Sequence, residues 1–275
     1  MKKDKIKIYN NSNDNTSNDI KFNKSKLSNL SFFDKIAIRM FCPEFQDMVF
    51  EKKSSLFDSI IGYENIKKIL SNLLFSEYAV SLLLTGKPGC GKSLFLKEIE
   101  REFPDESYYI DASRATKAGI FKVLFDDNKN RIRFLLIDEL DKLPKKDQDS
   151  LLTLIQDGKL VQTLKTDTRT KVYEHLSVIC ASNYKEDILE PLLNRFYVIG
   201  IRNYTHLEFR QIAKSLLIQR YNQSYELANY IIDRVWNDLK NPSIRDCERI
   251  AKLSNNSKEM VDLLIENTSS SNFID

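Results

Sequence analysis

The octapeptide GKPGCGKS at residues 86–93 restricts what this chain can fold into more than any other part of its sequence. It fits the pattern G-x-x-x-x-G-K-[S/T], and an apolar run at residues 79–85 precedes it, while a helical pattern over residues 92–103 follows it. Glycine is needed where a loop turns tightly and directs successive backbone N–H groups at one point. The segment therefore predicts a strand, a phosphate-binding loop and a helix in direct succession.

The residue types in this loop predict how it would hold a nucleoside triphosphate. The ammonium group of Lys92 should reach the β- and γ-phosphates, and the hydroxyl group of Ser93 should bind Mg²⁺. The positive end of the following helix dipole adds to the attraction. We therefore expect ATP and Mg²⁺ as ligands, and nucleotide contacts from Gly86, Lys87, Pro88, Gly89, Cys90, Gly91, Lys92, Ser93 and Leu94.

The acidic segment DELD, residues 138–141, directly follows the apolar run IRFLLI at residues 132–137. Polar residues at the carboxyl ends of parallel strands lie beside the ligand crevice. Asp138 is therefore predicted to hold the metal, directly or through water, and Glu139 to orient the attacking water. Asp141 is expected either to tune this site or to bridge to a neighbouring subunit.

Strand and helix patterns alternate up to residue 201, and after residue 203 only helical patterns remain. The predicted strands cover residues 79–85, 107–111, 132–137, 178–181 and 197–201, and the helices before and between them cover residues 64–76, 92–103, 117–125 and 146–156. Four later helices cover residues 205–220, 225–239, 243–253 and 258–266, of which two begin at N-capping residues, Thr205 and Ser243. This order predicts an α/β fold with a parallel sheet sandwiched by helices, followed by a small all-α domain.

Charge and cysteine content exclude several classes of protein. Residues 1–30 hold seven lysines and three aspartates, so the rest of the chain has a net charge of about −1 instead of the strong positive charge of many nucleic-acid-binding proteins. The four cysteines (Cys42, Cys90, Cys180 and Cys247) lie far apart, which predicts neither a disulfide framework nor a zinc site. The sequence has no apolar stretch of about 18 residues and no secretory signal, so we expect a cytoplasmic protein without a membrane partner.

These patterns divide the chain into five segments. Residues 1–30 are expected to be a disordered basic tail, which either contacts nucleic acid or another anionic partner or is simply solvated. Residues 31–53 are expected to form a short amphipathic helix and a linker. Residues 54–202 form the predicted α/β domain, residues 203–267 the helical domain and residues 268–275 a second tail.

In this order the motifs resemble those of the AAA+ ATPases, a family of P-loop ATP hydrolases, over roughly residues 54–266. The segment FDSIIG at residues 57–62 is similar to the one that lines the family's adenine pocket, with Ile61 and Gly62 nearest the base. Asn183 matches the sensor-1 position, Arg195 in LLNRF the arginine finger, and Arg245 in SIRD the sensor-2 arginine. The resemblance implies that the helical domain is a lid, that Asn183 and Arg245 contact the nucleotide, and that the catalytic residues are Lys92, Glu139, Asn183, Arg195 and Arg245.

The resemblance also implies partners. In this family the arginine finger acts on ATP bound by the adjacent subunit, so a homo-oligomeric ring or spiral, commonly hexameric, is implied. Alternating residues at 160–165 and 170–175 flank a polar turn at 166–169, which predicts a β-hairpin before the sensor-1 strand. With this hairpin the chain is most similar to RuvB-type branch-migration helicases, which implies DNA remodelling in recombination or repair.

Other assignments stay open at the level of sequence. MoxR-type protein-remodelling ATPases keep a comparable hairpin, and a slow nucleotide-gated loader or switch is a third alternative, against which Glu139 and Arg195 argue. The basic residues of the hairpin, Lys159, Lys165, Arg169 and Lys171, either contact DNA or a partner or are solvated. RuvB-type helicases have a winged-helix domain after the lid, for which residues 268–275 are too short. We therefore expect any DNA contact to use the hairpin, the pore, the tail or an adaptor protein.

Overall fold

The computed structural model describes residues 56–163 and 168–270. The expected basic tail, the amphipathic helix at residues 31–53 and the tip of the predicted hairpin lie outside these residues. The strands are β1 Leu82–Thr85, β2 Ser107–Asp111, β3 Phe134–Asp138, β4 Lys159–Thr163, β5 Thr168–Val172, β6 Ser177–Ser182 and β7 Tyr197–Gly200. The helices are α1 Glu64–Leu74, α2 Lys92–Glu102, α3 Lys117–Asp126, α4 Lys145–Asp149, α5 Leu151–Asp157, α6 Glu190–Leu193, α7 His206–Gln219, α8 Tyr225–Asp238, α9 Ile244–Leu253 and α10 Lys258–Ser270.

Five strands form one parallel sheet in the order β2-β3-β6-β1-β7. Every residue of β3 and β6 is buried, as expected for strands that are covered on both faces. Alternate side chains of β3 enter two separate cores: Phe134 and Leu136 pack with α1 and α2, whereas Leu135 and Ile137 pack with α3 and α5. The prediction of a parallel sheet sandwiched by helices is confirmed.

The register of the sheet brings three strand ends to one edge. Thr85 of β1 pairs with Ser182 of β6, and Ile137 of β3 pairs with Cys180 of β6. Because the strands are parallel, the segments that follow β1, β3 and β6 all leave the sheet at its carboxyl edge. With neighbouring strands about 4.8 Å apart, the ends of β1 and β3 lie about 10 Å apart on either side of β6.

The four C-terminal helices share a third core, which includes Phe209, Ala213, Ile231 and Val235. The predicted N-cap residues are confirmed, since Thr205 with Glu208 and Ser243 with Asp246 each form a complete capping box. Within the described part of the chain, no helix is both long enough and apolar enough to span a lipid bilayer.

Several predicted element boundaries are wrong. The helix expected at residues 146–156 is divided into α4 and α5 at Ser150, whose hydroxyl group donates to the carbonyl oxygen of Lys146 (3.3 Å), a contact that bends helices. Residues 79–81 precede β1 because its ladder begins only where β6 and β7 supply partners. The last helix continues to Ser270, three residues past the expected end of the helical domain.

The predicted β-hairpin is present, but its strands begin and end at other residues than predicted. β4 and β5 pair antiparallel, with Gln162 opposite Arg169 and Lys159 opposite Val172. The second strand therefore begins at Thr168, inside the predicted turn, and ends at Val172 instead of residue 175. Residues 164–167 at its tip lie outside the described residues.

A charged cluster fixes the start of the helical domain beside the α/β domain. Arg202 donates twice to the carboxylate of Glu208, with both distances 2.7 Å, and the amide N–H of Thr205 donates to the same group at 2.8 Å. These contacts lower the pKa of Glu208 to about 2: the hydrogen bonds from Arg202 contribute most, Thr205 adds to them, and partial burial opposes the shift. The carboxylate is therefore more stable in the folded protein than in the unfolded chain.

We predict that Glu208→Gln lowers the free energy of unfolding at pH 7 by about 1 kcal/mol, after allowance for the partly exposed Arg202. Because the folded pKa lies below the usual value of 4.5, the contribution of Glu208 is complete above that pH and is lost as the pH falls towards about 2. Urea denaturation at pH 7 and pH 3 measures this, with the exposed Glu259→Gln as control. A difference between Glu208→Gln and the wild-type protein that did not shrink at pH 3 would contradict the assignment.

Candidate functional site

The loop between β1 and α2 wraps around the side chain of Lys92. The Nζ atom of Lys92 donates to the carbonyl oxygens of Gly86 (2.7 Å) and Lys87 (2.9 Å) and lies 3.7 Å from the Sγ atom of Cys90. Lys92 is 6% exposed, which is unusual for a lysine and reflects these contacts. The ammonium group thus occupies the inside of the loop and draws backbone carbonyl groups towards it.

The backbone amides of the same loop have few acceptors. Cys90 N–H donates to the carbonyl oxygen of Lys87 at a long 3.4 Å. Among residues 56–163 and 168–270, none accepts from the N–H groups of Gly89, Gly91, Lys92 and Ser93. Unpaired amides at a helix N-terminus, reinforced by the helix dipole, make a ready site for an anion such as a phosphate group.

Gly91 is required for the turn that starts α2. Its φ angle is +92°, a conformation that other residues rarely adopt. A methyl group at this position would also lie 2.5 Å from the hydroxyl oxygen of Tyr204. The loop and the segment that leads into the helical domain are therefore in close contact.

Asp138 is the last residue of β3 and is 7% exposed. Its Oδ2 atom accepts from the hydroxyl group of Tyr109 on the neighbouring strand (2.7 Å), and its Oδ1 atom accepts from the N–H of Glu139 (3.0 Å). Burial first, and then the hydrogen bond to Asp138, raise the pKa of Tyr109, so its hydroxyl group stays protonated and donates. These bonds fix the orientation of the Asp138 carboxylate.

Glu139 adopts a left-handed backbone conformation, with φ 54° and ψ 44°. This conformation costs a residue with a side chain about 1–3 kcal/mol, and residues that adopt it cluster at active sites. It turns the chain sharply after β3, and the side chain of Glu139 is partly exposed at the carboxyl edge of the sheet.

Of the two roles predicted for Asp141, its environment excludes the bridge to a neighbouring subunit. Its side chain is completely buried, and its Oδ1 atom accepts from the Ser182 hydroxyl group (3.0 Å) and from the N–H of Asn183 (3.1 Å). A side chain without solvent exposure cannot reach a neighbouring subunit, so the predicted bridging role is wrong. Asp141 instead connects the turn after β3 with Asn183, which directly follows β6.

The segment with Ile61 and Gly62 lies between the loop and the helical domain. A methyl group at Gly62 would collide with the carboxylate of Glu208, so the two are in contact. The next residue, Tyr63, is 6% exposed, and its hydroxyl group lies 2.9 Å from the carbonyl oxygen of Cys90 and 3.1 Å from that of Arg202. Tyr63 therefore connects the loop, this segment and the chain leading to the helical domain.

Arg245 lies in the first turn of α9 and is exposed. The start of this helix is next to the loop, since a methyl group at Gly89 would lie 3.8 Å from the Cβ atom of Ser243. Within the described residues, no carboxylate pairs with Arg245. On the loop side, Leu94 is 51% exposed, which is unusual for a leucine near the start of a core helix.

Arg195 is on the surface, at the end of the short helix α6. Its Nε and Nη2 atoms donate to the Oε1 atom of Gln156 (3.1 and 2.8 Å), and its Nη1 atom donates to the carbonyl oxygen of Pro191 (2.6 Å). These acceptors are neutral, and no carboxylate of the described residues forms an ion pair with Arg195. Its guanidinium group is thus oriented while its charge stays uncompensated.

The sequence predicts that these residues form one site, with Arg195 supplied by an adjacent subunit, and the structure brings most of them to one region. The loop, Asp138, Glu139 and Asn183 share the carboxyl edge of the sheet, and the start of α9 adjoins the loop. The segment with Ile61 and Gly62 is connected to the loop through the next residue, Tyr63. Arg195 is attached to α5 and α6 and has no contact with the loop among the described residues.

The donor set fits Mg²⁺. The hydroxyl group of Ser93 and the carboxylate of Asp138 are oxygen ligands, which Mg²⁺ prefers, and Mg²⁺ usually binds through one or two protein groups and the phosphates of a substrate. In the described part of the chain, no group of three or more His, Cys, Asp or Glu residues could hold a metal ion alone. A metal at this site would therefore depend on a phosphate ligand.

Two tyrosines that contact the candidate site were not predicted from the sequence. Tyr63 and Tyr109 each donate to a site residue that is 27 or 29 positions away in the chain. Both lie in patterns that also fit ordinary core tyrosines, so no local signal distinguishes them.

The hairpin offers fewer basic groups than expected. Lys171 Nζ donates to the carbonyl oxygens of Leu124 (2.6 Å) and Asp127, at the end of α3, so Lys171 anchors the hairpin to its own domain. Lys159 and Arg169 are exposed, and Lys165 lies outside the described residues.

This chain is similar to one protein family and to several known proteins. Residues 82–203 match the model of the ATPase family associated with various cellular activities (AAA). The chain is 24% identical over 212 residues to DNA replication licensing factor MCM5 of Arabidopsis thaliana, covering 68% of this chain and 29% of that protein. It is 27% identical over 174 residues to the Holliday junction branch migration complex subunit RuvB of Phytoplasma mali, covering 60% of this chain and 51% of that protein. The chain thus spans about half or less of the length of these relatives.

A solved structure has the same fold. The RuvB Holliday junction branch migration motor of Thermotoga maritima superposes with a TM-score of 0.54 at 22% identity, covering 78% of this chain and 71% of that one. At this level of identity the similarity concerns the fold.

We predict that Tyr63→Phe lowers the free energy of unfolding by about 1–2 kcal/mol, because it leaves the buried carbonyl oxygen of Cys90 without its donor. The matched control is Tyr78→Phe, since Tyr78 is 80% exposed and should be within about 0.5 kcal/mol of the wild-type protein. Urea denaturation followed by circular dichroism measures both variants. Equal stability of the two would show that the Tyr63 hydroxyl group does not hold the loop.

Proposed function

Because this chain contains an AAA ATPase domain that includes residues 82–203, we propose that the protein binds ATP with Mg²⁺ and hydrolyses it. The observation that carries the proposal is the loop around Lys92, with its unpaired amides, at the sheet edge that also presents Asp138, Glu139 and Asn183. In this proposal residues 54–202 form the ATPase domain, residues 203–267 form its lid, and the protein is cytoplasmic.

The residues of the loop would bind the triphosphate. The amides of Gly89, Gly91, Lys92 and Ser93 would donate to phosphate oxygens, and the Lys92 ammonium group would exchange its carbonyl acceptors for phosphate oxygens. Ile61 and Gly62 would contact the base, with the remaining loop residues and Leu94 completing the site. Mg²⁺, bound by Ser93 and Asp138, would neutralise phosphate charge.

The carboxyl edge of the sheet would direct the attack of water. Glu139 would orient the water and accept its proton, and Asn183 would contact the γ-phosphate or the water. Tyr109 would keep the Asp138 carboxylate in one orientation through its 2.7 Å hydrogen bond. Arg245, beside the loop, would reach the phosphates from the lid.

We assign Arg195 to the ATP of an adjacent copy of this chain, which requires a homo-oligomeric ring or spiral. Two observations support this: Arg195 has no contact with its own loop among the described residues, and its guanidinium group is exposed with neutral acceptors only. A positive charge that approaches the transferring phosphoryl group stabilises its transition state strongly.

We predict that Arg195→Ala keeps the affinity for Mg²⁺-ATP but lowers kcat by a factor of about 100 or more. Mixing Arg195→Ala with Glu139→Gln subunits should restore part of the turnover, because sites with an intact Glu139 then meet an intact Arg195. Steady-state ATPase assays and titration with a fluorescent ATP analogue measure both effects, and the control is Arg220→Ala, whose side chain is 70% exposed on the lid. Full turnover by Arg195→Ala would refute the assignment.

We further propose that hydrolysis drives remodelling of DNA. MCM5 is named as a DNA replication licensing factor and RuvB as a Holliday junction branch migration subunit, so two relatives of this chain are named for work on DNA. The exposed residues Lys159 and Arg169 on the β4–β5 hairpin supply positive charge for phosphate contacts, directly or beside an adaptor protein. Lys171 is excluded from this role because its ammonium group is bound to the end of α3.

We predict that Arg169→Ala weakens binding to branched DNA about threefold to tenfold and reduces the salt dependence of binding, because one phosphate contact is lost. Fluorescence anisotropy with a labelled four-way junction at several salt concentrations measures this, again with Arg220→Ala as control. Stimulation of the ATPase by an unfolded polypeptide and not by DNA would instead identify a protein substrate.

A further inference from the structure

Asp141 is a buried carboxylate beside the site that the proposed function leaves without a role. Its side chain is 0% exposed, and both hydrogen bonds that it receives come from the segment after β6, from Ser182 and Asn183. A buried carboxylate is costly unless donors and cations compensate it. This contact is therefore a specific one that the fold retains at a cost.

The second oxygen of Asp141 strengthens the same connection. The Nζ atom of Lys142 lies 3.5 Å from Oδ2, and no hydrogen-bond donor to Oδ2 exists among the described residues. Lys142 Nζ also lies 5.6 Å from the centre of the Tyr184 ring, and the Ser182 hydroxyl group lies 3.0 Å from the carbonyl oxygen of Tyr184. The residues on both sides of Asn183 are thus in contact with the Asp141–Lys142 pair.

The topology gives this connection a consequence for catalysis. Asp141 follows Glu139 by two residues, in the turn after β3, and Asn183 directly follows β6, the neighbouring strand. The amide N–H of Asn183 donates to the carboxylate of Asp141. If the backbone of Asn183 moved away from the turn that carries Glu139, this buried carboxylate would therefore lose a hydrogen-bond donor. The Asp141 carboxylate thereby constrains the separation of Glu139 and Asn183.

We propose that Asp141 is a positioning residue that keeps Asn183 in place relative to Glu139 during ATP hydrolysis. This inference rests on the proposed ATPase function. If Asp141 had a purely structural role, its replacement would lower the stability of the protein and nucleotide binding together. The effect of the replacement would also be independent of Asn183.

The test is a double-mutant cycle with Asp141→Asn and Asn183→Ala. Asparagine keeps the size of the side chain and one acceptor oxygen but removes the charge. We expect Asp141→Asn to lower kcat about tenfold while the Kd for Mg²⁺-ATP stays within about twofold, as is typical when a positioning group is lost. In the Asn183→Ala background, the same change should lower kcat by less than about twofold, because the group to be positioned is absent.

The matched control is Asp149→Asn, the same chemical change at an exposed position of α4, which should leave kcat and Kd unchanged. If Asp141→Asn unfolds below the assay temperature, Ser182→Ala replaces it in the cycle. That variant removes one of the two donors to Oδ1, and we expect about a threefold loss of kcat without a change in Kd.

The possible outcomes separate this inference from the proposed function. A folded Asp141→Asn protein with wild-type kcat, or losses that multiply in the double variant, would overturn the positioning role while leaving the ATPase proposal intact. Full turnover by both Asn183→Ala and Glu139→Gln would refute the proposed catalytic site, and the positioning role would fail with it.

Discussion

The parallel register of β1, β6 and β3 is the constraint on which the rest of the site depends. Because parallel strands end at one edge, three groups come together there: the loop around Lys92, the residue Asn183, and the pair Asp138–Glu139. About 90 residues of chain separate Lys92 from Asn183. Strand spacing places the loop and the Asp138–Glu139 pair about 10 Å apart, with Asn183 between them. The hydrophobic cores on both faces of the sheet maintain this register.

Polar contacts orient the functional groups that the sheet brings together. Tyr109 fixes the Asp138 carboxylate, Asp141 fixes the amide of Asn183, and Tyr63 joins the loop to the chain that leads to the helical domain. The arginines differ from the carboxylates in this respect, since Arg195 has only neutral acceptors and Arg245 has no carboxylate partner within the described residues. Arginine side chains without a carboxylate partner suit a site whose negatively charged ligand comes from outside the chain.

Much of the fold and of the candidate site was predictable from the sequence because those features are local. The run of apolar residues in β3 predicts a strand that is buried on both faces, and Thr205 and Ser243 predict helix starts through their capping chemistry. Some element boundaries were predicted wrongly because individual side-chain and backbone contacts decided them. Ser150 divides a helix through a bond to its own preceding turn, and β5 starts inside a predicted turn because its pairing with β4 extends that far.

The order of strands and helices, the glycine-rich loop between β1 and α2 and the acidic residues after β3 could therefore be predicted from the sequence, since each depends on neighbours within a few residues. The tertiary structure was needed to show that Asp141 faces Asn183 instead of another subunit, that Lys171 anchors the hairpin, and that Tyr63 and Tyr109 contact the site. These contacts join residues between 27 and 47 positions apart. They follow from the order and register of the strands, which short-range patterns of residues do not encode.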